Sequence, residues 1–393
     1  MLKQGIVSVG SKFHATFTAE SLERGGMLKT FYTGKKVNSQ TIPDQHITRI
    51  SLPLMVGYAL RKMPLIGQYI PYNLLSDILF DCMVSIKLKK ADFIIGFNNY
   101  SLMQMKKLKK QKSTLFLEQR IAHVLTEIQI YNDEFGRVPA NLHPLMVKRK
   151  LQEYDMADYI LVPSEFVYQS MISNGISEKK LLLVPYGYDA KLFKRDTQIK
   201  KPDDCLRLLF VGQIGHRKGL KYLLDAVKNI KQKRPDAPLD LVLVGGIDND
   251  FVPYLNQYSN LYRHIDFVPQ RKLVELYNSS HIFVFPSLCE GSAVVTYEAL
   301  GSGLPQIVTF NAGSVISNNE EGIIIPPRDT VALENAILHL MDNPSEIKRM
   351  EHNAINKAKE YTWEKYGDRL ISTLHKKFDS YEVSNDDKNT FTY

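Results

Sequence analysis

The chain of 393 residues has little cysteine, a single tryptophan and no long apolar run. Its three cysteines, Cys82, Cys205 and Cys289, stand far apart, so the sequence supports neither a zinc ribbon nor a disulfide framework. Such cysteine usage is typical of a reducing compartment, and we expect a cytoplasmic protein. The N-terminus makes a poor signal peptide. No stretch reaches the roughly 18 uncharged apolar residues that span a bilayer, and the nearest one, residues 50–71, contains an Arg-Lys pair.

Acidic residues do not balance the basic ones in the first half of the chain. Residues 1–190 carry the whole net charge of +8, much of it in two lysine runs at 87–90 and 106–112. These runs are either two solvated helix ends or a surface for anionic lipid, where each basic residue contributes about 1 kcal/mol. The second interpretation predicts a protein that is peripheral on the inner face of a membrane. The runs lack interleaved aromatic residues, and with no nucleic-acid motif present we expect no nucleic-acid partner.

Short apolar runs alternate with helical patterns, and this alternation predicts parallel sheets with crossover helices. The first half contains predicted strands at 5–10, 28–34, 91–99, 113–119, 158–164 and 181–187. The second half contains predicted strands at 206–212, 239–246, 265–269, 281–287, 304–310 and 322–327, with a helix at 218–233. Beyond residue 344 the pattern is helical to about residue 381, and the last dozen residues are polar and predicted to fray.

The chain length suggests two domains at roughly 150 residues each. The polar segment 194–205 is predicted to be the interdomain linker. We therefore expect an α/β protein with two doubly wound, Rossmann-like domains facing a central cleft. Residues 1–193 form the predicted acceptor-side domain, residues 206–360 the donor domain, and residues 361–393 a returning helix with a polar tail. Ligands of such sheets bind beyond the carboxyl ends of the strands, so motifs that follow strands matter most.

The strongest motif runs from Cys289 to Pro305 and follows the predicted strand 281–287. Two glutamates, Glu290 and Glu298, stand eight positions apart at the start of and within a predicted helix, so both carboxylates can face one side. Between them, the helix N-terminus offers free backbone N–H groups to an anion. A diphosphate with a sugar on each side fits this arrangement.

A second motif lies between a predicted strand and a helix, at residues 210–220. It contains Gly212, a loop and two adjacent cations, Arg217 and Lys218. Cations in this position stabilise the negative charge that grows on a leaving diphosphate.

The segment 290–305 resembles the E-x7-E signature of glycosyltransferase family 4, which has the GT-B fold. The resemblance implies that Glu290 contacts the sugar hydroxyls of the donor and that Glu298 contacts the ribose hydroxyls. It also implies pyrophosphate or sugar contacts by the backbone of four residues, which are Gly291, Ser292, Ala293 and Val294. It further implies retention at the anomeric carbon, no catalytic metal and no cofactor beyond a UDP- or GDP-sugar substrate.

The resemblance extends to the 210–220 motif, where the family commonly shows VGR followed by KG. Lys218 matches the family lysine, whereas Gln213 stands where the family usually has arginine. Arg217 adjoins Lys218 and is the candidate for replacing that missing charge.

Weaker similarities add further candidates. Pro269 and Gln270 lie in a segment similar to the one that wraps the nucleotide base, and His123 lies in a segment similar to one with a histidine near the reacting carbon. Gly10 and His14 follow the first predicted strand and are candidates for acceptor or phosphate contact. Asp248-Asn249-Asp250 resembles the DxD motif of metal-dependent glycosyltransferases of another fold, but we interpret it as a surface turn.

These features predict a retaining, metal-independent transfer of a sugar from a nucleotide diphosphate to an acceptor hydroxyl by front-face displacement. Glycan, capsule or lipopolysaccharide assembly is the expected setting. The acceptor is either a lipid-linked or membrane-surface glycan, as the basic first half suggests, or a small soluble molecule. Three alternatives stay open: a non-catalytic subunit that binds sugar nucleotides, an epimerase, and a phosphorylase. An NAD site lacks its main support, since no G-x-G-x-x-G follows the first strand.

Overall fold

The computed structural model describes residues 2–11, 14–62, 72–136, 138–139 and 142–389. Part of the predicted loop after the first strand, Lys12 and Phe13, lies outside the described residues, as do residues 63–71 of the apolar 50–71 segment. The chain divides into two compact units. Unit 1 comprises residues 1–162, 168–184 and 364–393, and unit 2 comprises residues 163–167 and 185–363.

Unit 1 is built on a seven-stranded sheet in which every pair of neighbours is parallel. Its strands are β1 (Gly5–Val9), β2 (Leu28–Thr33), β3 (Ile47–Arg49), β4 (Phe93–Phe97), β5 (Thr114–Glu118), β6 (Tyr159–Val162) and β7 (Leu181–Leu183). The order is β3-β2-β1-β4-β5-β6-β7. The central strands β1 and β4 are wholly buried. Helices cover both faces of such a sheet, and for this reason its strands appear in the sequence as continuous apolar runs.

Helices connect these strands. They are α1 (Ala15–Arg24), α2 (Leu52–Arg61), α3 (Tyr72–Lys87), α4 (Leu102–Lys109), α5 (Val124–Phe135), α6 (Pro144–Met156) and α7 (Glu165–Ser173), and the C-terminal α14 (Trp363–Asn389) runs almost entirely within unit 1. No helix in the described part of the chain is both long and apolar enough to cross a membrane.

Unit 2 is a six-stranded parallel sheet of order β10-β9-β8-β11-β12-β13. Its strands are β8 (Leu206–Val211), β9 (Leu239–Val244), β10 (Arg263–Ile265), β11 (Ile282–Phe285), β12 (Gln306–Thr309) and β13 (Gly322–Ile325). Its helices are α8 (Leu220–Lys233), α9 (Val252–Leu255), α10 (Gln270–Asn278), α11 (Val294–Gly301), α12 (Thr330–Asp342) and α13 (Pro344–Ala358). α8 buries apolar residues at helical spacing, including Leu220, Leu223, Leu224 and Val227.

The two doubly wound sheets confirm the predicted α/β class, and most predicted strands are confirmed to within a few residues. One strand prediction is wrong, because β10 ends at Ile265 and residues 266–269 form the loop beyond it. The edge strand β3 was not predicted, since three residues are too short to show a pattern. The predicted helix at 218–233 begins at Leu220, after a 3-10 turn.

Two predictions for the connections are also corrected. The segment 194–205 is irregular but lies within unit 2, so it does not join the two units. Arg195 and Asp196 tie it to the side chain of Asn278, which explains how a polar segment stays packed.

The tail is two helices, α13 and α14, interrupted at residues 359–362, and α14 continues to Asn389 where fraying was predicted. Residues 390–393 of the predicted polar tail lie outside the described residues.

Candidate functional site

The order of strands in unit 2 reverses between β8 and β11, and the loops after these neighbours meet. The Leu288 N–H donates to the Arg217 carbonyl at 2.9 Å, and Ser287 Oγ lies 3.2 Å from the same carbonyl oxygen. In open parallel sheets, ligands bind at this reversal point, outside the carboxyl ends of the strands. Both predicted motifs are therefore brought together where the topology favours a ligand.

Glu290 is the centre of this loop pair. Three donors converge on its Oε1 atom: Arg217 Nη1 at 2.5 Å, Lys218 Nζ at 2.6 Å and Ser287 Oγ at 2.9 Å. Arg217 also donates to the Cys289 carbonyl at 2.7 Å. One oxygen of the Glu290 carboxylate thus accepts hydrogen bonds from both cations.

Electrostatics keeps this cluster charged. Burial alone would raise the pKa of Glu290, but the neighbouring cations Arg217 and Lys218 hold it below its usual value. Burial lowers the pKa of Lys218, and the Glu290 carboxylate opposes that shift. The ammonium group also lies 4.9 Å from the centre of the Phe285 ring. An anionic ligand that reached the cations would compete with Glu290 for them.

Glu298 sits in the middle of α11 in a different environment. The Tyr277 hydroxyl donates to its Oε2 at 3.0 Å, and burial raises the pKa of Glu298 to about 7. The two glutamates do not share a helix as the sequence analysis assumed, since Glu290 lies in the loop four residues before α11 begins. Their opposite pKa shifts result from cations beside one and apolar surroundings beside the other.

The N-terminus of α11 is partly occupied by its own loops. The Ala293 N–H donates to the Ala312 carbonyl at 3.1 Å, so it is not available to a ligand in this conformation. Ser292 is held through its hydroxyl, which donates to the Gly313 carbonyl at 2.7 Å. The Val294 N–H has no acceptor in the described part of the chain. A Cβ on Gly313 would approach the Gly291 carbonyl to 2.4 Å, so these loops fit only with glycine.

The loop after β8 begins with Gly212, whose φ of 147° a side chain rarely adopts. Gln213 follows, and its side-chain amide donates to Asp248 Oδ1 at 2.9 Å. A Cβ on Gly215 would lie 2.0 Å from Asp248 Oδ2. The Asp248-Asn249-Asp250 turn is thus fastened to the loop through Gln213.

The remaining candidate in unit 2 is the segment beyond β10. Pro269 precedes α10 as its N-cap, and Gln270 is the first helical residue. Both are exposed past the carboxyl end of the strand, as is Phe267, whose ring is 88% exposed.

The candidates in unit 1 are buried. His14 Nε2 lies 3.0 Å from Glu118 Oε1, and Gly10 is covered by the Tyr100 ring, which a Cβ would meet at 2.4 Å. His123 caps α5, because its Nδ1 accepts from the Leu125 N–H at 3.3 Å. Burial and the nearby charge of Lys150 lower the pKa of His123 to about 4, so the ring is neutral.

Two residues of the site were missed by the sequence analysis. Ser287 contacts Glu290 and Tyr277 contacts Glu298. Ser287 could have been found, since it directly follows a predicted strand. Tyr277 lies on another helix, α10, and no spacing rule links it to α11.

Comparisons with known proteins find similarity to glycosyltransferases. A family model described as glycosyl transferases group 1 matches residues 205–343. A D-inositol 3-phosphate glycosyltransferase of Corynebacterium urealyticum is 23% identical over 242 residues, which is 56% of this chain and 57% of that protein. The chain thus matches little more than half the length of that relative.

Solved structures match over nearly the whole chain. Sucrose-phosphate synthase from Thermosynechococcus elongatus superposes with a TM-score of 0.70 and 18% identity, over 96% of this chain and all of that one. HepE from Anabaena, solved with UDP-glucose, gives a TM-score of 0.65 and 14% identity, over 95% and 100%. The chain therefore has the GT-B fold, and its residues 205–343 match the glycosyl transferases group 1.

Proposed function

We propose that this protein is a retaining glycosyltransferase that moves a sugar from a nucleotide diphosphate to an acceptor hydroxyl, in glycan, capsule or lipopolysaccharide assembly. The observation that carries the proposal is the convergence of Arg217 and Lys218 on Glu290 at the strand reversal of unit 2. The group 1 match covers this site, and similar folds bind UDP and UDP-glucose.

Arg217 and Lys218 bind one part of the donor, and Glu290 binds another. The diphosphate of the donor takes over Lys218 and Arg217, and this frees Glu290 to accept hydrogen bonds from the sugar hydroxyls. As the bond from sugar to phosphate breaks, the same cations stabilise the leaving diphosphate without a metal. The leaving phosphate takes the proton of the acceptor hydroxyl, so the new bond forms on the face that the phosphate leaves.

The rest of the donor lies along unit 2. Glu298 accepts hydrogen bonds from the ribose hydroxyls, and Pro269 and Gln270 border the base. The backbone of Gly291, Ser292 and Val294 meets the pyrophosphate or sugar, while Gly212 and Gln213 shape the loop beneath it. The Ala293 N–H contributes only if its bond to Ala312 opens.

Three residues of unit 1 complete the proposal. Gly10 and His14 contact the acceptor or the phosphate, and His123 belongs to the reaction centre. His123 acts there as a neutral ring, because its pKa is about 4. Its role as a helix cap is the competing explanation, and His123→Asn tests it: the cap is retained, so an unchanged rate would reject a role in the reaction.

A non-catalytic subunit that binds sugar nucleotides is the second candidate, and Gln213 favours it because the usual arginine is absent. Glu290→Ala distinguishes the two: an enzyme loses transfer by roughly 10²-fold or more, whereas a binding subunit has no transfer to lose. The wild-type protein is assayed beside it with UDP- and GDP-sugars and a mixed glycan acceptor pool.

The first experiment measures thermal stability with UDP, GDP, ADP, CMP and NAD. A ligand at 100 times its Kd should add about 2.7 kcal/mol, which raises Tm by a few degrees. We expect a shift with one nucleoside diphosphate, and its loss in Glu298→Ala. Glu275→Ala, an exposed residue of α10, is the matched control. A shift with NAD alone, or no shift at all, contradicts the proposed function.

A further inference from the structure

The segment of residues 163–167 belongs to unit 2, although the residues on either side of it in the chain belong to unit 1. It follows β6 and contains the first turn of α7. Two of its side chains reach loops near the candidate site. Ser164 contacts the loop after β11, and the Phe166 ring lies edge-on to the ring of Phe310, directly after β12, at 6.0 Å between centroids. The first half of the chain thus supplies part of the packing around these loops.

Ser164 is buried, with 4% of its surface exposed, and its hydroxyl makes two hydrogen bonds. Oγ donates to the Gly291 carbonyl, and it accepts from the Val167 N–H at 3.3 Å as an N-cap of α7 does. A Cβ on Gly313 would lie 2.8 Å from Ser164 Oγ and 2.4 Å from the Gly291 carbonyl oxygen, so these three residues meet at one point. Ser164 therefore holds the residue that directly follows Glu290.

The bond to Gly291 restrains the peptide group that joins Gly291 to Ser292. Because a trans peptide group is planar, its carbonyl and its N–H point in opposite directions. Gly291 has no side chain to restrict its backbone dihedrals, so this peptide group would rotate more freely without the bond. The Ser164 hydroxyl therefore sets the direction of the Ser292 N–H.

The Ser292 N–H has no acceptor among the residues that the structure describes, and Ser292 is only 7% exposed. The Val294 N–H is in the same state within the described ranges. Backbone donors in a buried segment need a partner, so this loop offers two donors to a ligand. They follow Glu290, on which Arg217 and Lys218 converge, and N–H groups beside cations suit an anion.

We propose that Ser164 is a positioning residue of the donor site, which aims the Ser292 N–H at a phosphate oxygen of the nucleotide by holding the Gly291 carbonyl. This inference rests on the proposed function, because it concerns the binding of the same donor. It adds a residue from the first half of the chain that acts through a peptide group.

The N-cap of α7 is the competing role of Ser164, and two variants separate the two roles. Ser164→Gly and Ser164→Ala both lose the bond to Gly291. Glycine is nearly as good an N-cap as serine, whereas alanine is a poor one. Positioning therefore predicts an equal loss of nucleotide affinity in both variants, while a cap effect predicts a loss in Ser164→Ala alone.

Calorimetric titration with UDP, GDP and ADP measures this affinity. Both variants should weaken the binding of the nucleoside diphosphate that the wild-type protein binds by about tenfold, in the range for a lost hydrogen bond to a charged group. The matching nucleoside, followed by saturation-transfer NMR, should bind unchanged because it carries no phosphate. Ser173→Ala, at an exposed position of the same helix, is the matched control and should bind as the wild type does.

A spectroscopic signature reports on the peptide group itself. Carbonyl-¹³C glycine and ¹⁵N serine, introduced by cell-free synthesis, restrict an HNCO spectrum to the four Gly–Ser pairs of the chain, Gly10–Ser11, Gly291–Ser292, Gly301–Ser302 and Gly313–Ser314. Loss of a signal in Ser292→Ala assigns the pair of interest. In Ser164→Gly the Gly291 carbonyl signal should move upfield, because the carbonyl has lost a hydrogen bond. At saturating nucleotide, the Ser292 N–H signal should shift less than it does in the wild type.

The results separate this inference from the proposed function. If both variants bind the nucleoside diphosphate as the wild type does, or if Ser164→Ala alone loses affinity, the inference is overturned and the proposed function stands. A nucleoside affinity that falls as far as the diphosphate affinity also overturns it, since the damage is then general. An unchanged Gly291 carbonyl signal in Ser164→Gly would show that Ser164 does not hold this peptide group. If none of the three nucleoside diphosphates binds the wild-type protein, the proposed function fails and the inference fails with it.

Discussion

The two glutamates of the candidate donor site, Glu290 and Glu298, differ in the charged groups that surround them. Glu290 stays ionised because two cations share one of its oxygens. Among the described residues, the Tyr277 hydroxyl is the one donor to the Glu298 carboxylate, and burial raises the pKa of Glu298 to about 7. Near neutral pH, Glu298 is therefore divided between its acid and its carboxylate. In the proposed function, ribose hydroxyls donate to this carboxylate, so we expect Glu298 to link nucleotide binding to pH.

We expect nucleotide affinity to fall as the pH falls through 7. Glu298 must lose its proton to accept from ribose, so each pH unit below about 7 should raise the Kd about tenfold for this group. Calorimetric titration with UDP and GDP between pH 5.5 and 8.5 measures the profile. The ligand phosphates titrate in the same range, so Glu298→Gln is the reference. Parallel profiles for the wild type and Glu298→Gln would exclude Glu298 as the source of the pH dependence.

Arg217 is expected to supply the charge that Gln213 lacks. Arg217→Ala should weaken nucleoside diphosphate binding by about 10-fold to 100-fold, the range for a lost charged hydrogen bond, while uridine or guanosine binds unchanged. The double variant Gln213→Arg with Arg217→Ala should recover most of the affinity, because it moves the cation to the position usual in the family. A double variant as weak as Arg217→Ala would show that the two positions are not equivalent.

At the scale of elements, the candidate donor site depends on the close approach of the loop after β8 to the loop after β11. Gly219 has a φ of 69° at the start of α8, and a Cβ there would lie 2.0 Å from the Pro286 carbonyl oxygen. This approach brings the loop after β8 against the loop after β11. The backbone of Lys218 is thereby fixed next to the segment that carries Glu290.

The sequence predicted these elements but not all of their contacts. Apolar runs are enough to find buried parallel strands, because such strands read as continuous apolar segments. The edge strand β10 was misplaced, since Phe267 and Val268 continue an apolar pattern in a loop that is exposed. The burial of Asp77 on α3 had no signal in the sequence, because a carboxylate in a helical pattern is usually a surface residue.

Gly219→Ala should destabilise unit 2 and disable the donor site together. A positive φ costs about 1 kcal/mol for alanine, and the clash with Pro286 adds to it, so we expect a loss of about 2–4 kcal/mol. Urea unfolding monitored by circular dichroism measures the change. Gly136→Ala is the control, because Gly136 has a φ of 62° with open space around it. This variant should lose only the roughly 1 kcal/mol that a positive φ costs alanine. Equal losses in both variants would mean that the approach to Pro286 is not tight.

At the scale of the whole molecule, the two lysine runs and the candidate ligand contacts of unit 1 lie at opposite ends of the strands in that unit. The lysine runs at 87–90 and 106–112 precede β4 and β5, so they lie near the amino ends of the strands in unit 1. The loops with Gly10 and His123 follow strands and lie at the opposite edge. The exposed apolar residues Leu52, Met55 and Tyr58 on α2 follow β3 and do not join the lysine runs.

This separation yields a prediction about membranes that is independent of the donor site. If the lysine runs bind anionic lipid, the protein should sediment with phosphatidylglycerol vesicles at low salt and detach as screening increases, with little binding to phosphatidylcholine. Replacing Lys89, Lys90, Lys109 and Lys110 by glutamine should remove about 1 kcal/mol for each lysine near the surface and abolish sedimentation, with UDP and GDP affinity unchanged. Leu52→Ser with Met55→Ser is the contrasting variant at the other edge. Loss of vesicle binding in that variant alone would move the membrane contact to α2, and a wild-type protein that stays in solution with anionic vesicles at low salt would favour a soluble acceptor.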